Sequence, residues 1–90
     1  MNTNSKPCRN PNAVWRELDG ETAIIGADSG QLHMLNEVGG RIWSLLDGKR
    51  DLETIISSVA AEFNEERETV SQDAHQFLLA LKELRLLETG

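Results

Sequence analysis

Cysteines, histidines, basic residues and long apolar runs are all scarce in this chain, and each scarcity removes a class of protein. Cys8 is the only cysteine. It has no partner for an internal disulfide and reads as an incidental thiol. No run of about 18 apolar residues occurs, which excludes a membrane-spanning helix. Residues 1–12 are polar, with Pro7 and Pro11, and lack the apolar middle of a signal peptide. They read as a flexible tail on an unexported, cytoplasmic protein whose single domain spans residues 13–90. Of the two histidines, His33 and His75, neither has a cysteine or carboxylate at ligand spacing, so no metal site is expected. Gly39-Gly40 is not followed by the Lys-Ser/Thr of a phosphate loop, and no G-x-G-x-x-G occurs. No nucleophile, base and orienting group form a recognisable set. The expectation is a protein without catalysis and without a cofactor. Nine basic residues stand against 15 acidic ones, a net charge of −6. That balance opposes binding to nucleic acid, where phosphate contacts need surplus Lys and Arg. It suits a protein partner.

What the chain does have is a clear change of period. Ninety residues and 39% hydrophobic composition allow one domain and one core. Ala13 to Leu18 reads as a strand. Asp19-Gly20 follows, a strong signal for a two-residue hairpin turn of type I′. Such a turn sets Trp15 opposite Ile24 and Val14 opposite Ile25 in a second strand, Glu21 to Ala27. Asp28-Ser29-Gly30 makes another turn, and Gln31 to Leu35 forms a third strand. The length of that second loop is open to two readings, so the face of strand three that meets the core stays open as well. From Asn36 the period becomes helical. Asn36 is a good N-cap, Glu37 suits the helix dipole, and Val38, Ile42, Leu45 and Leu46 share one face up to the stop at Asp47-Gly48. Gly39 and Gly40 inside this helix each cost about 1 kcal/mol relative to Ala. Close approach of another backbone would offset that. Trp43 lies off the stripe and reads as a partly buried flank residue.

Asp51 caps a second helix with its apolar stripe at Leu52, Ile55, Ile56, Val59, Ala60 and Phe63. Asn64 to Glu68 is a polar connection. Thr69 or Ser71 caps a third helix that runs to about Leu84, with a core stripe of Val70, Ala74, Phe77, Leu81 and Leu84. Leu78, Leu79 and Ala80 widen its apolar arc. Taken alone, the width favours burial on two sides. The other reading is a groove beside Gln76, Leu79, Ala80 and Glu83. Leu86-Leu87-Glu88 adds a last short strand or packs. The order is α+β: a three-stranded antiparallel meander followed by three helices, winged-helix-like in arrangement. A meander leaves both outer strands with a free edge. A free edge beside a wide apolar helix suits one recognition mode, in which an extended peptide adds a strand and sets alternate side chains into the groove.

The ordered set Leu35-Asn36-Glu37-Val38, Ile42-Trp43 through Leu46-Asp47-Gly48, Leu52-Glu53-Thr54-Ile55 leading to Phe63, and Asp73, Phe77-Leu78, Leu81, Leu84, Leu86-Leu87 resembles PqqD-like proteins, the peptide-recognition elements of ribosomal peptide biosynthesis. The resemblance covers about Ala13 to Glu88. It implies that the leader of a precursor peptide pairs with strand three, along Gln31, Leu32, His33, Met34 and Leu35. It implies that the leader lies against helix three near Asp73, Gln76, Phe77, Ala80 and Leu84. It further implies presentation of the precursor to a modifying enzyme. In pyrroloquinoline quinone biosynthesis that enzyme is a radical S-adenosylmethionine protein and the precursor supplies a Glu and a Tyr. The family also serves lasso-peptide and other maturation pathways. One departure stands out: family members often carry Gly where this chain has Arg85, which matters where that position needs a positive φ.

Two other readings fit the element order. A winged-helix DNA-binding regulator predicts a basic recognition helix, whereas Thr69 to Leu84 carries Asp73, Lys82 and Glu83, a net negative charge. A structural homodimer would pair the free edges of two copies.

Overall fold

The computed structural model describes residues 5–26 and 29–88. Three strands, β1 (Val14–Leu18), β2 (Glu21–Ile25) and β3 (Leu32–Leu35), form an antiparallel sheet in the order β1-β2-β3. Three helices follow: α1 (Glu37–Leu45), α2 (Leu52–Phe63) and α3 (Arg67–Glu83). This is the α+β architecture expected from the sequence.

Asp19 and Gly20 both take left-handed backbone, φ 50° and 84°, as a type I′ turn demands. The turn fixes the register, with Trp15 opposite Ile24 and Val14 opposite Ile25. The second connection is longer than its turn residues suggest. Gly26 N–H donates to the Gln31 carbonyl at 3.1 Å, and Gly30 N–H donates back to the Gly26 carbonyl at 2.9 Å. Four residues, 27–30, therefore separate the last pair. Ala27, the expected end of strand two, and Asp28 of the expected turn lie outside the described residues. The resulting register sets Ile24 opposite His33 and Ile25 opposite Leu32.

Both caps expected at α1 and α2 form. The Asn36 side chain accepts from Gly39 N–H, and that of Asp51 accepts from Thr54 N–H, both at 2.8 Å. Gly40 has a steric reason. A Cβ there would lie 2.3 Å from Thr22 Oγ1 and 3.1 Å from Thr22 Cβ, so the glycine lets α1 settle onto β2. The core lies between these helices and the inner sheet face, around Ile24, Ile42, Leu46, Ile55, Ile56, Leu78 and Leu86. Trp43 is not a flank residue: it is fully buried (0%), edge-on to Trp15 at 6.2 Å between ring centroids.

Helix three begins earlier than its Ser/Thr candidates suggest. Glu66 occupies the N-cap position with no side-chain cap bond. Thr69 and Ser71 are inside the helix. Its core stripe is Val70, Ala74, Leu78 and Leu81. Phe77 is half-buried and Leu84 exposed, both displaced from the expected stripe. After the C-cap Leu84, Arg85 takes φ 59°, the left-handed backbone that glycine would adopt without strain.

Residues 5–12 are not a loose tail. The chain from Pro7 to Asn10 runs between two strips of backbone. Arg9 N–H donates to the Leu46 carbonyl and Gly48 N–H to that of Pro7. On the other side Asn10 N–H donates to the Leu86 carbonyl and Glu88 N–H to that of Cys8. The Arg9 guanidinium donates to the carbonyls of Trp43 and Ser44 at 2.9 and 2.8 Å, closing the C-terminal end of α1, and stacks over the Trp15 ring. A cation suits that end of a helix. Cys8 is half-buried in this ladder, and burial pushes its thiol pKa up, with Glu88 adding to the shift. Leu86 and Leu87 are buried, so the C-terminal segment both packs and pairs.

Candidate functional site: the free edge of β3

The direction of every backbone group on β3 follows from one bond. The Gln31 carbonyl faces β2, where it accepts from Gly26 N–H. In a trans peptide unit the next N–H points the opposite way. Leu32 N–H therefore points away from β2. Alternation then turns the Leu32 carbonyl, Met34 N–H and the Met34 carbonyl outward, while His33 keeps its groups on the ladder. Among the described residues no strand pairs with β3 on that side. The edge thus offers two donors and two acceptors, all on Leu32 and Met34.

Side chains alternate the other way. Leu32 and Met34 stand on the outer face of the sheet, 59% and 52% exposed. His33 and Leu35 share the inner face with Ile24 and Thr22, and both are half-buried. Gln31 is exposed just before the strand.

The helical half of the site is built by spacing. Asp73, Gln76, Phe77, Ala80 and Leu84 recur at three- and four-residue intervals, one stripe of α3. Phe77 is half-buried against the core, and the other four are exposed. Gly39 links this stripe to β3. A Cβ on Gly39 would lie 3.6 Å from Leu35 Cβ and 4.0 Å from Phe77 Cε1. Gly39 thus lies between Leu35 at the end of β3 and Phe77 of α3, with the capping Asn36 Oδ1 3.3 Å from where its Cβ would stand. Its role was not recoverable from sequence beyond the oddity of a helical Gly-Gly pair. The apolar arc of α3 is not buried on two sides. Leu79 is 61% exposed and sits roughly 160° around the helix from Phe77, so it belongs to the opposite flank, near His75 and Lys82. The grooved strip expected beside Gln76, Leu79, Ala80 and Glu83 accordingly divides, with Gln76 and Ala80 on the β3 side and Leu79 away from it.

Among the described residues no group of His, Cys, Asp or Glu is placed to hold a metal ion, and no helix is long and apolar enough to cross a membrane.

The protein-family profile described as coenzyme PQQ synthesis protein D (PqqD) matches residues 21–87. A solved structure described as TbiB1 in complex with the TbiA(beta) leader peptide superposes on the chain with a TM-score of 0.82 at 34% identity. The match covers 92% of this chain and 96% of that one. No curated protein matches the chain.

Proposed function

The chain belongs to the PqqD family, and from that premise we propose that it binds the leader segment of a ribosomally made precursor peptide by strand addition. The observation that carries this reading is the unpaired edge of β3 beside the Phe77 stripe of α3, joined across Gly39. The structural neighbour, a protein captured with a leader peptide, supports it. In this reading the peptide bonds to the outward groups of Leu32 and Met34, and Gln31, His33 and Leu35 set the register of the strand. Alternate peptide side chains enter the groove against Leu35, Phe77, Ala80 and Leu84. Asp73 and Gln76 supply the polar rim. The protein is an accessory that presents the precursor to a modifying enzyme, and we propose a radical S-adenosylmethionine enzyme in that role, as in pyrroloquinoline quinone biosynthesis.

The test is a titration of isotope-labelled protein with a synthetic leader peptide taken from a short reading frame neighbouring the gene. Amide shifts confined to residues 31–35 and the Phe77 side of α3, saturating at micromolar peptide or below, are the expected result. A folded protein that shows no shifts with any such leader refutes the reading.

A further inference from the structure

Arg85 is an unusual residue for its position. It follows the C-cap Leu84 of α3 with φ 59°, left-handed backbone. The two bonds that define this way of ending a helix are both present. Arg85 N–H donates to the Lys82 carbonyl at 3.1 Å, and Leu86 N–H to the Leu81 carbonyl at 2.9 Å. Glycine normally occupies such a position, because a Cβ crowds the neighbouring carbonyl there.

The N-terminal segment supplies a hold on this turn. Asn10 Nδ2 donates to the Arg85 carbonyl at 2.9 Å, and Asn10 N–H donates to the Leu86 carbonyl at 2.8 Å. The peptide unit joining Arg85 to Leu86 is thereby held from both sides, its carbonyl by Asn10 and its N–H by Leu81. Asn10 is itself preset. Its carbonyl accepts from Ala13 N–H and its Oδ1 from Asn12 N–H, both at 3.0 Å. That turn runs straight into β1 at Val14. The side chain thus accepts at one atom and donates at the other. Aspartate lacks the donor, serine and alanine lack the reach, and glutamine is a carbon too long for the turn.

We propose that Asn10 is a positioning residue of the peptide site, acting through the strained turn at Arg85 on Leu84. The proposal rests on the peptide-binding reading given above. Leu84 is the last member of the Phe77 stripe and directly precedes Arg85. Its side chain is 45% exposed, so its own burial does little to hold it. Its N–H is bonded to the Ala80 carbonyl in the last turn of α3, so the place of the side chain follows that turn. While Asn10 holds the turn, Leu84 stands at the end of the groove. When the hold is lost, Arg85 leaves the left-handed region and the end of α3 frays. The apparent affinity for the leader then falls by the fraction of molecules that keep the turn. By linkage, bound leader stabilises the turn and the bond from Asn10 by the same factor.

The variants are Asn10→Ala, Arg85→Gly and Leu84→Ala, singly and in pairs with Asn10→Ala. They are read by calorimetric titration with the synthetic leader used above and by thermal unfolding. Asn10→Ala should bind the leader about tenfold more weakly, the fold-change of one hydrogen bond near the top of its net range. Arg85→Gly should bring Asn10→Ala back to within about twofold of wild type, since glycine takes the left-handed turn without help. With Leu84→Ala already in place, Asn10→Ala should cost less than about a further twofold, because the side chain it positions is gone. A role in stability alone lowers the melting temperature and produces neither result. A folded Asn10→Ala protein that binds as wild type does overturns the proposal. So does a loss of affinity that persists undiminished beside Arg85→Gly or Leu84→Ala. Both outcomes leave the peptide-binding reading intact. Failure of the wild-type protein to bind any leader removes that reading itself, and the proposal with it. An Asn10→Ala protein that is not folded by its amide spectrum is replaced by Asn10→Ser, with the same readings.

Discussion

Proline at position 34 separates the two duties of β3. Met34 N–H points away from β2, because the Gln31 carbonyl three residues earlier points toward it and turns Leu32 N–H, and with it Met34 N–H, outward. Met34→Pro therefore removes no bond of the β2–β3 ladder, and proline is tolerated on an edge strand when its missing N–H faces outward. The residue before it, His33, is already extended, as proline requires. The fold should survive with a modest loss of stability. Peptide binding should not. One donor of the four outward groups is gone, worth about 1 kcal/mol net, and the peptide carbonyl that faced it loses its partner at about 1 kcal/mol more. Together, about 2 kcal/mol is a roughly thirtyfold weaker complex. His33→Pro is the control. His33 N–H serves the ladder opposite Ile24, so proline there should unfold or loosen the sheet. The assay is calorimetric titration with the leader peptide, alongside thermal unfolding of both variants. A Met34→Pro protein that is folded and binds the leader as wild type does would refute the assignment of the edge.

Other consequences follow from single residues. Gly39→Leu should crowd the space between Leu35 and Phe77 and weaken peptide binding about tenfold or more; a Cβ there also meets the capping Asn36 Oδ1 at 3.3 Å, so binding is read alongside thermal unfolding, and full binding by a folded variant would remove Gly39 from the site. Gly40→Ala should destabilise by about 1–2 kcal/mol in denaturant unfolding, because overpacking against Thr22 outweighs the better helix propensity. Arg85→Gly should stabilise by about 1 kcal/mol, since φ 59° strains any residue with a Cβ; a loss of stability on denaturant unfolding would refute that. Hydrogen bonds from Thr54 hold the Asp51 carboxyl below its ordinary range, and those from the amides of Lys49 and Arg50 do the same for Asp47. A depressed folded pKa contributes stability above the unfolded value of about 3.9 and loses it as pH falls through the folded one. Stability should therefore hold down to about pH 4 and decline below. Asp51→Asn, an equally good cap that does not titrate, should flatten the decline, and an unchanged acid limb would exclude Asp51 as a source.

The parts legible in the sequence were those set by local rules. Asp19-Gly20 dictated a turn and so a register, and Asn36 and Asp51 dictated helix starts. Misread parts depended on partners distant in sequence. Residues 5–10 look like a tail because nothing local orders them, yet residues 7–10 bond to backbone at 46–48 and 86–88, and the Ser5 carbonyl accepts from Leu52 N–H. Trp43 lies off the helical stripe but is fully buried, edge-on to Trp15, with its carbonyl accepting from the Arg9 guanidinium. Helix three starts at Arg67 without a side-chain cap, so Thr69 and Ser71 drew the boundary too late. The face of β3 hung on loop length, which the bond between Gly26 and Gln31 settles. On the site, the residues of β3 and the Phe77 stripe followed from the family resemblance and from the free edge. Gly39 did not, because its place between Leu35 and Phe77 is a relation among three elements.

The geometry also apportions affinity. Four outward groups on Leu32 and Met34 give a bound strand about 4 kcal/mol net at about 1 kcal/mol each. Association itself costs an estimated 4–15 kcal/mol, so the edge alone leaves an extended peptide unbound. It follows that the edge, which reads only backbone, orients the ligand and sets its register. The remainder must come from apolar side chains buried in the groove, at about 1.5–3 kcal/mol for each aliphatic or aromatic side chain fully covered. In the proposed complex, two or three such anchors against Leu35, Phe77 and Leu84 bring the affinity into the micromolar range, near −8 kcal/mol, only if the association cost lies toward the low end of that estimate. A preformed edge and a preformed groove are the features that keep it there. On the proposed site, discrimination among peptides therefore resides on the helical side, and a four-residue edge can stay open to water without pairing indiscriminately.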